Sequence, residues 1–148
     1  MSYNDLRKGR YSEPGREYLI TSVVAERHPV FRDLRCARLL IQTLQRTQHE
    51  GQAEWLAWVI MPDHFHGLLR VVSGTLTDVM RRTRGNSAHA INHYLQRTGR
   101  LWQPAYHDRA LRDEDDRLAI ARYIVANPLR AGLVQRLGDY PHWDSVWL

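Results

Sequence analysis

Two histidines one residue apart, His64 and His66, stand in the stretch Met61-Pro62-Asp63-His64-Phe65-His66-Gly67-Leu68-Leu69. Neutral imidazole is the commonest metal donor among side chains. If this stretch is a strand, its side chains alternate, so both imidazoles project to one face and Phe65 to the other. Two nitrogen donors on one face can converge on a metal ion, and Pro62 and Asp63 are turn formers that would present them at the start of the strand. A surface histidine pair is the plainer account of the same spacing. Downstream, Tyr123 and Asn127 lie four residues apart and share one face of a helix. Pro128 disfavours helical geometry for Asn127 before it, which leaves the amide at a terminus where its oxygen can turn toward a ligand. Both residues could face the histidines. A packed tyrosine and an ordinary helix stop account for them equally simply.

The elements that must position these groups are legible as changes of period. Glu17 to Glu26 is β-branched and half-alternating and predicts a first strand. After Pro29, the residues Leu34, Ala37, Leu40, Ile41 and Leu44 recur at three- and four-residue steps and predict an amphipathic helix over 32–49. Glu54 to Met61 predicts a second strand, which the Pro62-Asp63 turn returns into His64 to Val72 as a hairpin. Thr75 to Gln96 predicts a second helix with Thr75 or Thr77 as N-cap. Leu101 to Leu111 predicts a fourth strand interrupted at Pro104. Asp113-Glu114-Asp115-Asp116 supplies an N-cap and acidic first-turn residues for a third helix from Glu114 to about Asn127, with one further turn over Leu129 to Leu133. The order βαββαβ plus a helix predicts an α+β protein: a ferredoxin-like antiparallel sheet with an additional C-terminal helix carrying Tyr123. The first two helices should cover the Phe65 face, leaving the histidine face for the third.

Length and composition fit one domain spanning 1–148, with a basic N-terminal arm over 1–16 and an aromatic C-terminal tail over 137–148. The only cysteine, Cys36, excludes a disulfide framework within the chain and a cysteine-rich zinc site. No apolar run exceeds Trp55 to Met61 and the N-terminus is polar, so the expectation is a soluble cytoplasmic protein without a membrane span or signal peptide. The net charge is +5, and of the 21 lysines and arginines only Lys8 is lysine. Arginine pairs bidentately with phosphate and stacks on bases, which suits a nucleic-acid partner, although a GC-rich genome produces the same bias. Candidate nucleic-acid contacts are Arg7, Arg10 and Arg16 on the arm, and Arg81, Arg82 and Arg84 on the second helix. Trp102 and Tyr106 read as either core or base-stacking positions. His89 and His93 have a zinc-compatible helical spacing that a solvated helix face also explains.

PDHFHGLL, LWQPAYHDRAL and ARYIVANPLRAGLV, in that order, resemble the motifs of the REP-associated tyrosine transposases, single-tyrosine members of the HUH endonucleases. Pro14-Gly15-Arg16-Glu17-Tyr18-Leu19-Ile20-Thr21 resembles that family's opening segment, so the likeness covers roughly residues 16–147. It implies a bacterial, nucleoid-associated enzyme that cleaves and rejoins single-stranded DNA at hairpin-bearing repeats through a 5′-phosphotyrosine. It implies His64 and His66 as ligands to a divalent ion, magnesium or manganese, with Asn127 as third ligand and Tyr123 as nucleophile. Two other function classes stand beside this one: a catalytically inactive nucleic-acid-binding module, and a small metal-dependent phosphoesterase. The sequence is compatible with a monomer or a homodimer.

Overall fold

The computed structural model describes residues 15–147. Apart from Gly15 and Arg16, the basic arm, with Arg7 and Arg10, lies outside the described residues. The elements in chain order are β1 (Glu17–Val23), α1 (Leu34–His49), β2 (Ala53–Met61), β3 (His64–Val71), α2 (Leu76–Leu95), β4 (His107–Ala110), α3 (Arg117–Val125), α4 (Asn127–Arg130) and β5 (Trp143–Ser145). Short 3-10 turns occur at Ala25–Arg27, Val30–Arg32 and Leu137–Asp139. The strands form one antiparallel sheet in the order β4-β1-β3-β2-β5. The first four strands have the ferredoxin-like arrangement that the sequence predicts.

Helices α1 and α2 begin where their polar residues can satisfy free backbone donors. Asp33 accepts from the Arg35 N–H at 2.9 Å, and Thr75 and Asp78 form a reciprocal capping box at the start of α2. Both helices turn their apolar stripes to one sheet face, where Leu40, Leu44, Val79, Met80 and Ile91 close over Tyr18, Ile20, Trp55, Phe65 and Leu69. Trp55 and Phe65 meet edge to face at 5.5 Å. Gly67 lies beneath them, and a Cβ there would come within 3.1 Å of Trp55 Cζ3 and 3.2 Å of Phe65 Cζ. Phe65 is thus in the helix-packed core, and the strand alternation places His64 and His66 on the opposite face.

That opposite face has a smaller core of its own. Ala121 and Ile124 of α3 pack with Ala57, Val59, Met61 and Leu68. Helix α3 therefore covers part of the sheet face that carries the histidines. Among the described residues no helix is long and apolar enough to cross a membrane.

Four boundaries differ from the sequence reading, each for a local reason. The first strand stops at Val23, because Glu26 and Arg27 adopt φ of 59° and 52°, left-handed values that end a strand. The fourth strand shrinks to His107–Ala110. Trp102 keeps one isolated bridge to Val24, while the Arg84 guanidinium binds the carbonyls of Gln103 and Pro104 and so takes acceptors that a ladder would need. The third helix begins at Arg117, because Asp116 caps it by accepting from Ala119 N–H at 3.0 Å, while Asp115 instead accepts from Arg112 N–H at 2.7 Å and closes a turn. Pro128 does not end the helical path. It lies in the first turn of α4, where its missing N–H removes no helical bond. The tail adds a fifth strand on the outer edge of β2, and Tyr140 donates its hydroxyl to the Ile60 carbonyl at 2.5 Å.

Candidate active site

The site begins with register. His66 lies opposite Thr21 of β1 and Val59 of β2, and His64 lies opposite Val23 and Met61. Across the first pair Thr21 Oγ1 and His66 Nδ1 are 2.5 Å apart. His64 Nδ1 is 2.8 Å from Asp63 Oδ1, and the other Asp63 oxygen accepts from Arg27 at 3.3 Å. His64 is therefore anchored through Nδ1 on a carboxylate, which assigns its Nε2 as the nitrogen left for an incoming ligand, while His66 Nδ1 is engaged by a hydroxyl that can either donate or accept. The two rings stand 6.5 Å apart, centre to centre.

The electrostatics favour a neutral His66. Burial is the largest influence on His66, and with the nearby His64 and Arg130 charges it pushes the imidazole down to about 4, against an opposing hydrogen bond to the Ile20 backbone. At neutral pH His66 is thus uncharged. Burial works against ionisation of Asp63, yet its bonds and charge interactions with His64 and Arg27 prevail and hold the carboxyl below its usual range. Asp63 is consequently a charged orienting group for His64.

Tyr123 and Asn127 are brought together with a residue that spacing arguments had not singled out. Tyr123 is 61% exposed, so its hydroxyl is open to a substrate rather than locked in the core. The Arg130 guanidinium lies 3.7 Å from the centre of the Tyr123 ring and donates to the Tyr123 carbonyl at 2.7 Å and to Asn127 Oδ1 at 2.9 Å. The Arg130 charge is also the least of the influences that lower His66. The position of Arg130 was readable as three residues after Asn127 and seven after Tyr123, both same-face helical spacings. Thr21 was not readable without the β1–β3 register.

The donor chemistry suits a divalent ion with mixed nitrogen and oxygen ligands: two anchored imidazoles and the Asn127 amide oxygen. Among the described residues no group of three or more His, Cys, Asp and Glu could hold a metal ion. A shallow cleft of about 420 Å³ opens beside His64, with Arg27, Arg32, Met61, Pro62 and Leu133 among its walls.

The other candidates disperse. Arg16 lines a larger cleft between the start of β1 and the start of α3, together with Arg109, Arg112 and Arg117. Arg81 and Arg82 are exposed on α2, in the layer opposite the histidine face, and pair with Asp78 at 3.7 Å and Glu50 at 3.5 Å. Arg84 is committed to holding the 103–104 backbone and lies over the Tyr106 ring at 5.4 Å. Trp102 takes the core alternative: it is 4% exposed, packs on Phe31 at 5.6 Å and donates its indole N–H to Ser87 at 3.1 Å, which leaves no open face for a base. His89 and His93 are exposed on α2.

Comparison with known proteins gives a consistent set of likenesses. The family model described as "Transposase IS200 like" matches residues 15–127. The chain is 24% identical over 106 residues to a REP-associated tyrosine transposase of Escherichia coli strain K12. That match covers 70% of this chain and 61% of the relative, so the chain spans less than two thirds of the relative's length. The fold is similar to the solved structure of a REP-associated tyrosine transposase bound to a REP hairpin, with a TM-score of 0.76, 22% identity, and coverage of 90% of this chain and 79% of that one. A candidate transposase from Deinococcus radiodurans R1 gives a TM-score of 0.56 at 26% identity, covering 76% of this chain and 92% of that one.

Proposed function

This chain belongs to the IS200-like transposase family, and from that premise we propose that it nicks and rejoins single-stranded DNA at hairpin repeats through a covalent bond to Tyr123. His64, His66 and Asn127 would hold a divalent ion, with manganese, or magnesium in a mixed site, suiting their nitrogen and oxygen donors. The observation that supports the reading is the layout of one sheet face: β3 presents His64 and His66 there, α3 packs on that same face, and its Tyr123 stays exposed beside an Asn127 held by the Arg130 guanidinium.

The chemistry assigns each residue a task. Tyr123 is exposed and its ring is held from one side by Arg130, so its hydroxyl can approach a phosphodiester. A phenol with a pKa of about 10 is a weak nucleophile at neutral pH. The bound ion would polarise the scissile phosphate and offset the charge that builds on it. Tyr123 loses its proton as its oxygen bonds to phosphorus; the bond to the 3′-oxygen breaks, and that oxygen leaves as a free 3′-hydroxyl. The 5′-phosphate stays on Tyr123. The new ester retains the phosphodiester's energy, so a later 3′-hydroxyl reverses the step and joins strands without ATP. Asp63 and Thr21 keep the imidazoles oriented throughout.

The test is a hairpin oligonucleotide labelled downstream of the nick, incubated with manganese. The labelled fragment should migrate with the protein through denaturing electrophoresis, and the upstream fragment should run free. Tyr123→Phe should lose the adduct and keep DNA affinity, and His64→Ala or His66→Ala should lose nicking. Tight, salt-sensitive binding without nicking would instead identify a binding module, since arginines release counterions whatever the active site does. Turnover of a small phosphoester without DNA attachment would identify a hydrolase.

A further inference from the structure

Arg130 holds the atom on which the proposed metal site depends. Its Nη2 donates to Asn127 Oδ1 at 2.9 Å and to the Tyr123 carbonyl at 2.7 Å, while its guanidinium carbon sits 3.7 Å from the centre of the Tyr123 ring. A guanidinium engaged in this way and a divalent cation are in competition: both are positive, and both need electron density from the same amide oxygen. Arginine has a better acceptor in a DNA phosphate, to which its planar fork can make two charge-assisted bonds in place of one bond to a neutral amide. Arg130 is exposed and stands at the end of the four-residue α4, so its side chain can leave Asn127 without disturbing either core.

We infer that Arg130 is a positioning residue that couples DNA binding to metal binding. In the free protein it occupies Asn127 and lies across Tyr123. A backbone phosphate arriving at the site draws the guanidinium away and opens the Asn127 amide to the ion. Metal affinity is thereby kept low until a strand is present, and by reciprocity the ion tightens the strand by the same factor. This inference rests on the reading of His64, His66 and Asn127 as the metal site.

The experiment measures Mn²⁺ affinity by isothermal titration, with and without a short DNA hairpin, in a Tyr123→Phe background that retains the stacked ring and prevents cleavage. The hairpin should tighten Mn²⁺ severalfold. Arg130→Ala should tighten Mn²⁺ severalfold without DNA, because the competitor is gone. The added effect of the hairpin should then shrink to what the phosphate charge alone contributes. Arg130→Gln, which removes the charge at nearly constant length, should change affinity in the same direction and serves where the alanine variant folds poorly. In an Asn127→Ala background, removing Arg130 should lose most of its effect. Unchanged or weaker Mn²⁺ binding by both Arg130 variants, with His64→Ala still abolishing it, overturns the coupling and leaves the metal site standing. Mn²⁺ binding that survives His64→Ala overturns both.

Discussion

Thr21 and His66 face each other across β1 and β3 with Thr21 Oγ1 and His66 Nδ1 2.5 Å apart, so a hydroxyl on one strand sets the ring of a histidine on the next. The contact holds the ring in one orientation. Thr21→Val preserves the shape and removes the oxygen. The expected loss is roughly 10- to 100-fold in metal affinity, the usual scale for deleting an orienting partner, with about 1 kcal/mol or less of stability lost with the hydrogen bond. Titration with Mn²⁺ and a urea melt measure the two effects separately. An unchanged metal affinity would show that Thr21 does not orient His66.

Asp63 and Arg27 make an unequal pair. Asp63→Asn should reduce nicking, because it withdraws a charged acceptor from His64 Nδ1. Arg27→Ala should matter far less for stability: its side chain is 65% exposed, and an exposed ion pair contributes about 1 kcal/mol or less. Nicking rates and urea midpoints of both variants check the order. A larger effect of Arg27→Ala on stability than of Asp63→Asn on nicking would reverse this assignment.

Trp102 separates a core role from a stacking role. Trp102→Phe should lower the urea midpoint, because it leaves a void beside Phe31 and removes the indole N–H that the Ser87 hydroxyl accepts, leaving that hydroxyl only its bond to the Arg84 carbonyl. The cost should be on the order of 1–3 kcal/mol, below the ~3–5 kcal/mol of a full truncation to alanine. Affinity of the folded variant for a labelled hairpin should be unchanged. Weakened DNA binding at full stability would return Trp102 to the base-stacking assignment.

Cys36 predicts the alkaline limit. The thiol is fully buried, and burial pushes it up to about 11, with the Asp33 charge adding to the shift. The unfolded thiol ionises near 9, so between about 9 and 11 the unfolded state binds fewer protons and stability falls as pH rises. The stabilisation at stake is no more than about 3 kcal/mol. Urea midpoints at pH 8 and pH 10.5 should diverge in the parent and less in Cys36→Ala. Equal divergence in both would exclude the thiol as the cause.

Much of the architecture was legible because its periods are clean. Leu40 and Leu44 mark α1, the alternation through Phe65, Leu69 and Val71 marks the core face of β3, and Pro62-Asp63 marks the hairpin between β2 and β3. Boundaries set by side chains reaching across the fold were not legible. Arg84 breaks the predicted fourth strand from α2, and nothing near Gln103 announces a guanidinium nineteen residues away. Trp143–Ser145 became a strand because β2 offered an unpaired edge, a tertiary fact with no local signature. In the site, His64, His66, Tyr123 and Asn127 could be picked out by type and spacing. Thr21 needed the strand register, whereas Arg130 stood at readable helical spacings from Asn127 and Tyr123 and was passed over.

The alternation of His64, Phe65 and His66 has one more consequence. Side chains on a strand repeat every two residues, so sliding β3 by a single residue against β1 and β2 would drive both imidazoles among Leu40, Leu44 and Met80 and turn Phe65 out toward water. Such a mispairing costs far more than one misplaced ligand, because it empties the main core and buries two polar rings in its place. The packing of Phe65 against Trp55 therefore acts as a proofreader for imidazoles it never touches on the other side of the sheet. A chain that has reached its folded state has thereby aimed its histidines, and a miswired yet well-folded copy has no stable form to occupy.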